Sequence, residues 1–264
     1  MTLTSDEIAA YERDGLLVLA DLFSPDEVAA LRVAFERDAT IEGDHRITEP
    51  GRDAVRAVYA SHMRQAEYAT LARHPRLLVP AQQILGRDLY VYQFKINAKP
   101  RFGGDGWSWH QDYTAWQIVD DLPAPRLINF VIFLDDVTEF NGPIVFIPGS
   151  HRDGSVRSDR RERHRSEQHL DPDDISLPPS KMDDLVERYG MVGPKGKAGS
   201  VVIFHPQIVH GSAANISPYP RRVVIATYNE VGNIPRGRPR PEYLVCRDTR
   251  PLRVADDVAI CATA

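Results

Sequence analysis

A histidine and an aspartate stand two residues apart in the segment WSWHQDYTAW, residues 107–116, among four aromatic side chains. If this segment is a strand, His110 and Asp112 point to the same face of the sheet, because side chains alternate along a strand. An imidazole and a carboxylate placed in this way could hold a metal ion together. They could equally form a partly buried ion pair at a strand end, and these residues alone leave both interpretations open.

A third candidate ligand lies far downstream, on another predicted strand. The segment FHPQIVHGS contains His205 and His210, five residues apart, so that on one strand they face opposite sides of the sheet. Two imidazoles and one carboxylate on one side of a metal form the facial triad of non-haem Fe(II) oxygenases, which leaves coordination positions open for a co-substrate and O₂. A site closed by four protein ligands would be structural instead.

An arginine follows His210 at a spacing that suits an Fe(II) oxygenase site. Arg221 stands eleven residues after His210 and opens the run RRVVIATY. We expect this run to pair back against the strand of His210. A guanidinium there could hold a carboxylate through two parallel hydrogen bonds. Taken alone, Arg221 would be interpreted as a surface residue at a strand end.

The rest of the chain predicts helices in front of a β-rich body. Residues 4–14, 24–37 and 64–86 have helical patterns, with Ser5 and Ser24 at N-cap positions and a break near Pro75. From residue 88 onward, runs of β-branched and aromatic residues predict about eight strands. We therefore predict a mainly β fold with flanking helices, of the double-stranded β-helix (jelly-roll) barrel type.

We expect residues 1–264 to form one domain with three parts. Residues 1–87 form a mostly helical N-terminal part, and residues 88–150 and 199–234 supply the barrel strands. Residues 151–198 are polar, charged and proline-containing, which favours a lid-like insertion between strands.

Composition excludes several classes of function. A net charge of -5 argues against a nucleic-acid or anionic-membrane partner. No apolar run approaches the roughly 18–20 residues of a membrane span, and the acidic, amphipathic start is unlike a signal peptide. Cys246 and Cys261 form neither a metal-type pair nor a disulfide framework. We expect a cytoplasmic protein with a small-molecule substrate; no heptad pattern indicates an oligomeric state.

Several segments together resemble a known family. The pattern of His110, Asp112, His210 and Arg221, with the segment FNGPIVFIPGSH, looks like the Fe(II)/2-oxoglutarate-dependent dioxygenases of the phytanoyl-CoA hydroxylase superfamily. The run YQFKINAKPRFGGDGWSWHQDYTAW is similar to ectoine hydroxylases. The segments VYASHMRQ, SEQHLDPDD and FHPQIVHGSAANISP are closer again to the L-leucine 5-hydroxylases of griselimycin-type biosynthesis. This resemblance spans residues 3–234 and implies Fe(II), 2-oxoglutarate and O₂.

The resemblance also implies roles for individual residues. It places the iron on His110, Asp112 and His210, and 2-oxoglutarate on Arg221 and Asn97. Related halogenases have a small residue where Asp112 stands, so hydroxylation is expected rather than halogenation. The same resemblance implies four substrate contacts: Gln93, Trp116, Leu170 and Arg240.

Two of these substrate contacts have alternative interpretations. Leu170 could close over an alkyl chain or simply pack as a loop residue on the body. Arg240 could bind a substrate carboxylate or belong to a solvated basic run with Arg236 and Arg238.

The expected reaction is hydroxylation of an unactivated side-chain carbon of a free, leucine-like L-amino acid, at C5, with release of succinate and CO₂. An ectoine-type hydroxylase is an alternative, although its signature has serine where Gln111 stands and FETW where this chain has YTAW. A tailoring oxygenase for a polyketide, terpenoid or carrier-bound amino acid is another. A cupin-like binding or isomerase protein with a different metal would cluster several histidines on neighbouring strands, which this chain lacks.

Overall fold

A computed structural model describes residues 1–49, 51–86, 88–156, 175–256 and 259–261. In these residues the α-helices are α1 Ser5–Asp14, α2 Pro25–Ala39, α3 Ala66–Leu71, α4 Pro75–Leu85, α5 Asp112–Asp120 and α6 Pro179–Tyr189. The strands are β1 Leu16–Leu19, β2 Arg46–Thr48, β3 Val55–Tyr59, β4 Leu89–Lys99, β5 Trp107–His110, β6 Leu127–Phe133, β7 Ile144–Phe146, β8 Val201–Phe204, β9 His210–Ser212 and β10 Arg221–Glu230.

The N-terminal helices begin at side chains that satisfy their free backbone N–H groups. The hydroxyl of Thr4 accepts from the backbone N–H of Glu7 at the start of α1, and Ser24 begins α2 with the same kind of capping box. Ser5 was therefore wrongly predicted as the first cap, by one residue. The predicted break near Pro75 is confirmed, because α3 and α4 meet just before it. None of the helices in the described ranges is long and apolar enough to cross a membrane.

Two antiparallel sheets form the β body. The larger sheet has seven strands in the order β1-β8-β6-β10-β4-β3-β2, and the smaller has three in the order β5-β9-β7. The predicted mainly β, jelly-roll fold is confirmed, with two sheets that do not close into a barrel. The N-terminal part supplies β1 to one edge of the larger sheet and β2 and β3 to the other, so it completes the sheet as well as covering it.

The larger sheet is apolar on both faces. Its outer face packs on the N-terminal helices, where Leu31 of α2 and Leu77 of α4 lie in one cluster with Phe130 of β6. Its inner face packs on the smaller sheet, where Val131 of β6 joins Phe146 of β7. Strand β6 is therefore buried on both sides, as its nearly continuous apolar run predicts.

Replacing Phe130 with alanine tests the packing of the helices on the sheet. Phe130 is completely buried, and its ring lies 5.6 Å from that of Tyr228, edge to face. We expect Phe130→Ala to lower the free energy of unfolding by about 3–5 kcal/mol, measured by denaturant titration. Val33→Ala, on the exposed side of α2, is the control and should change it by no more than about 0.5 kcal/mol. Equal losses in the two variants would contradict this packing.

Candidate active site

His110, Asp112 and His210 come together between the two sheets. Strands β5 and β9 pair so that the two histidines stand directly opposite each other, with ring centroids 4.3 Å apart. Nε2 of His110 lies 3.7 Å from Oδ1 of Asp112, and Nε2 of His210 lies 3.9 Å from Oδ2. Ligand atoms of all three lie within 4.8 Å of one another, and no other group of three such residues does so in the described part of the chain.

Asp112 reaches the histidines by a route that differs from the predicted one. Strand β5 ends at His110, Gln111 is extended, and Asp112 is the first residue of α5. The expectation that His110 and Asp112 share a strand was therefore wrong, although their side chains do meet. The side chain of Gln111 anchors this change of direction by donating to the carbonyl oxygens of Gly154 and Gln207. The negative charge of the Asp112 carboxylate is also stabilised by the positive end of the α5 helix dipole.

The hydrogen bonds and electrostatics of the triad suit a metal site. Nδ1 of His210 lies 3.0 Å from the carbonyl oxygen of Ile208, and Nδ1 of His110 makes the same kind of contact at 2.6 Å, so each Nε2 is free to bind. Burial lowers the pKa of His210 to about 4. Burial opposes ionisation of Asp112, but its interactions with His210 and His110 outweigh this and hold its pKa well below its usual range. Neutral imidazole and ionised carboxylate suit Fe(II).

Arg221 lies in the same cleft, and no acidic residue in the described part of the chain forms an ion pair with it. It is 2% exposed, and its Nε has no hydrogen-bond partner among the described residues. Asp135, the acid that acts on it electrostatically, is paired with the neighbouring Arg222 instead. Burial lowers the pKa of Arg221 to about 10. A buried guanidinium without a counter-ion is costly, so this end of the cleft suits the carboxylate of a bound molecule.

The strand that contains Arg221 lies in the other sheet from His210. Strand β10 runs between β6 and β4 in the larger sheet, whereas His210 is on β9 of the smaller one. The predicted pairing of these two strands was therefore wrong. The connection between them crosses from sheet to sheet, and Asn215 fixes it by donating to the carbonyl oxygens of Pro100 and Tyr219. Arg221 and His210 thus line one cleft from opposite walls.

Other polar side chains line this cleft. Oδ1 of Asn97 and Oγ of Ser212 are buried and have no hydrogen-bond partner within the ranges that the structure describes; Lys95 lines the same cleft. Sequence reasoning named Asn97 but missed Ser212 and Lys95. The signal was present, because Ser212 follows His210 by two residues and Lys95 precedes Asn97 by two, and such residues share a face of a strand. Phe204 and Ile225 supply an apolar wall, which suits the exclusion of water.

One face of α5 leads from the triad to a buried ion pair. Asp112, Trp116 and Asp120 follow one another at intervals of four residues, which places them on one side of the helix. The ring of Trp116 packs edge to face on Tyr92, with centroids 5.1 Å apart, and the Tyr92 hydroxyl donates to Asp120. Nε and Nη2 of Arg240 each lie 2.6 Å from a carboxylate oxygen of Asp120. Sequence reasoning missed Asp120, since nothing in the sequence pairs it with Arg240.

The other three predicted substrate contacts, Gln93, Arg240 and Leu170, differ in where they lie. Gln93 is buried on β4 and donates to the carbonyl oxygen of Leu244, 2.9 Å away. The side chain of Arg240 is only 12% exposed, so it does not belong to a solvated basic run. Leu170 lies outside the described residues.

His205 is separate from the triad, as predicted, but for a different reason. It follows the end of β8 rather than sharing a strand with His210. Its ring lies 5.0 Å from that of His151, and burial lowers its pKa to about 4. Its Nδ1 accepts from the backbone N–H of Gln207. This histidine therefore supports the turn before β9.

Known proteins with similar sequences have related activities. The family model for phytanoyl-CoA dioxygenase (PhyH) matches residues 11–223. The chain is 39% identical over 264 residues to the ectoine dioxygenase of Bordetella parapertussis, covering 95% of this chain and 86% of that protein. It is 38% identical over 256 residues to the L-proline trans-4-hydroxylase of Streptomyces griseoviridis, covering 95% of this chain and 96% of that protein. Both of these relatives are named for activities on small molecules.

Solved structures agree with the fold and with the cofactors. EctD from S. alaskensis with 2-oxoglutarate and 5-hydroxyectoine matches with a TM-score of 0.82 at 32% identity, covering 96% of this chain and 87% of that one. The same enzyme with bound Fe matches with a TM-score of 0.82 at 34% identity, over the same shares of the two chains. The chain therefore belongs to the phytanoyl-CoA dioxygenase (PhyH) family and is an Fe(II)- and 2-oxoglutarate-dependent dioxygenase.

Proposed function

We propose that this enzyme hydroxylates an unactivated side-chain carbon of a free, leucine-like aliphatic L-amino acid, at C5, while 2-oxoglutarate is converted to succinate and CO₂. His110, Asp112 and His210 hold the iron in this proposal. Arg221 and Asn97 hold 2-oxoglutarate. The substrate lies along α5, against Trp116 and towards Arg240.

The cleft fits the two cofactor roles. When bound, the iron supplies the oxidising chemistry by activating O₂ at the expense of 2-oxoglutarate. The triad occupies one side of the metal position and leaves the other side to small molecules. Arg221 binds the distal carboxylate of 2-oxoglutarate, which gives this buried cation a counter-ion that none of the described residues supplies. Asn97 and Ser212 each have a polar atom in the same cleft that no described residue hydrogen-bonds, and these atoms can make further hydrogen bonds.

The observation that supports an amino-acid substrate is the face of α5. Asp112 and Asp120 lie eight residues apart, about 12 Å along a helix. A small amino acid and the side chain of Arg240 can fill this distance together. Arg240 uses two of its five N–H groups on Asp120, and the others remain for a substrate carboxylate. Trp116, between the two ends, provides an apolar wall for the alkyl chain.

The Arg240→Gln variant tests this placement of the substrate. We expect the KM for the amino acid to rise about 10- to 100-fold, because a charge-assisted contact to the carboxylate is lost. The affinity for 2-oxoglutarate should stay close to wild type. Arg238→Gln, in the same segment but exposed, is the matched control. An unchanged KM in Arg240→Gln, or an equal rise in the control, would contradict the proposed contact.

A substrate panel tests the proposed reaction itself. Purified protein with Fe(II), 2-oxoglutarate and O₂ is given L-leucine, L-proline, ectoine or a leucyl thioester of a carrier, and the products are identified by mass and NMR. We expect L-leucine or a close aliphatic analogue to gain one oxygen atom. Hydroxylation of the thioester but not of the free amino acid would overturn the proposal of a free substrate.

Hydroxylation of ectoine is the second candidate function. It is favoured by the ectoine dioxygenases among the relatives, which are 34–39% identical to this chain. Ectoine also has a carboxylate that Arg240 could bind. A preference for ectoine over every amino acid in the panel would establish this alternative.

We also propose a cytoplasmic location. Cys246 and Cys261 are both free thiols, and a reducing compartment keeps thiols in this state. Fractionation of the producing cells tests this proposal.

A further inference from the structure

A chain of two buried side chains reaches Asp112 from the larger sheet. Nδ2 of Asn129 lies 3.1 Å from Oδ2 of Asp112, and Oγ1 of Thr227 lies 2.6 Å from Oδ1 of Asn129. Asn129 is completely buried, and Thr227 is 1% exposed. Water therefore cannot replace either hydrogen bond without rearrangement of the sheet.

The chemistry of the three groups fixes the direction of both hydrogen bonds. The ionised carboxylate of Asp112 can only accept, so the amide of Asn129 must turn its NH₂ group towards it. The amide oxygen of Asn129 then faces the hydroxyl of Thr227, which must donate. Each group thereby determines the orientation of the next, and the series ends on Oδ2 of Asp112.

The backbone holds this series rigidly. Asn129 on β6 and Thr227 on β10 are direct partners in the antiparallel register, so their side chains stand next to each other on the inner face of the sheet. Gln93 on β4 is the partner of Thr227 on its other side and is itself fixed by its bond to Leu244. Asp112, by contrast, lies in the first turn of α5 and belongs to neither sheet.

We propose that Asn129 and Thr227 are positioning residues for the metal centre. The hydrogen bond from Asn129 to Oδ2, with the Asn129 amide oriented by Thr227, fixes the rotation of the Asp112 carboxylate and occupies that oxygen, so that Oδ1 is the oxygen offered to the metal. A carboxylate bound through one oxygen leaves more coordination positions for 2-oxoglutarate and O₂ than one bound through two. The inference rests on the dioxygenase activity of the family and is independent of the proposed amino-acid substrate.

Metal affinity is the readout that tests this proposal, measured by titrating the full-length, metal-free protein with Co(II) and following its visible absorption. Thr227→Val keeps the shape of the side chain but removes the hydroxyl, and Asn129→Leu removes the amide. We expect both variants to bind Co(II) about 10- to 100-fold more weakly, the usual effect of losing a group that orients a metal ligand. Thr227→Ser keeps the hydroxyl and should restore binding close to wild type.

Tyr228→Phe is the matched control for a simple loss of stability. Tyr228 is the next residue on β10, faces the opposite side, and donates its buried hydroxyl to the carbonyl oxygen of Ala72 at 2.9 Å. The Tyr228→Phe variant should unfold at a lower temperature than the wild type, as Thr227→Val does, but its affinity for Co(II) should be unchanged. Wild-type affinity in Thr227→Val, or an equal loss in Tyr228→Phe, would overturn the proposal. The Co(II) titration contains no amino-acid substrate, so its result does not depend on whether the proposed substrate is correct.

Discussion

The His210→Ala variant should turn over 2-oxoglutarate at least about a thousand-fold more slowly than the wild type, because the substitution removes one of three ligands from the metal centre. Nε2 of His210 and Nε2 of His110 both point at the carboxylate of Asp112, and two remaining ligands hold Fe(II) far more weakly than three. The measurement is succinate formation at saturating Fe(II), together with Fe(II) affinity under anaerobic conditions. Both quantities should fall.

His205→Ala is the matched control for this result. His205 lies five residues earlier and packs on His151, so its loss also removes a half-buried imidazole. It should reduce stability while Fe(II) affinity stays close to wild type. Because His210 also packs on Phe146 and Phe204, thermal unfolding must show that His210→Ala is folded. Wild-type Fe(II) affinity in folded His210→Ala would contradict its place in the metal centre.

The second large effect concerns Arg221. We expect Arg221→Leu to raise the KM for 2-oxoglutarate by about 30- to 5,000-fold, since loss of a buried charge-assisted contact costs about 2–5 kcal/mol. The same variant should not destabilise the protein without ligand, because it removes a buried cation that has no carboxylate partner among the described residues. Steady-state kinetics and denaturant unfolding measure the two quantities.

Arg222→Leu should show the opposite behaviour. Its guanidinium is paired with Asp135 at 2.8 Å, so its loss should lower stability and leave the KM for 2-oxoglutarate unchanged. A strong loss of stability in Arg221→Leu with normal use of 2-oxoglutarate would show that Arg221 is a structural residue and contradict its role in the cleft.

Local features of the fold could be predicted from the sequence. Ser24 was correctly predicted to cap α2, the cap of α1 was placed one residue too late, and the interruption at Pro75 separates α3 from α4 as predicted. These signals act within a few residues of the chain. The continuous apolar run of β6 correctly indicated a strand buried on both faces. The assignment of strands to two sheets could not be predicted, since it depends on pairings between distant segments.

In the candidate site, too, some features could be predicted from the sequence and others could not. His110, Asp112, His210 and Arg221 could be named from type and spacing together with the resemblance to a known family, but their geometry could not. The turn at Gln111 is fixed by carbonyl groups more than forty residues away in the sequence, which no local pattern reveals. In the same way the pairing of Asp120 with Arg240 spans 120 residues.

The supporting residues around the metal centre left a weaker signal. Asn129 is one polar residue within the apolar run LINFVIF, and Thr227 is one within RRVVIATY. A buried polar residue in such a run needs a hydrogen-bond partner, so each indicated a specific contact without identifying it. The register of β6 and β10 supplies the partner.

The most direct test of the proposed function is the stoichiometry of one reaction. Protein loaded with Fe(II) and 2-oxoglutarate without O₂ is mixed with L-leucine, O₂ is admitted, and succinate and hydroxylated leucine are measured together. We predict equal amounts of the two products, and neither product above background in His110→Ala. Succinate formed without hydroxylated amino acid would keep the dioxygenase activity but contradict leucine as its substrate.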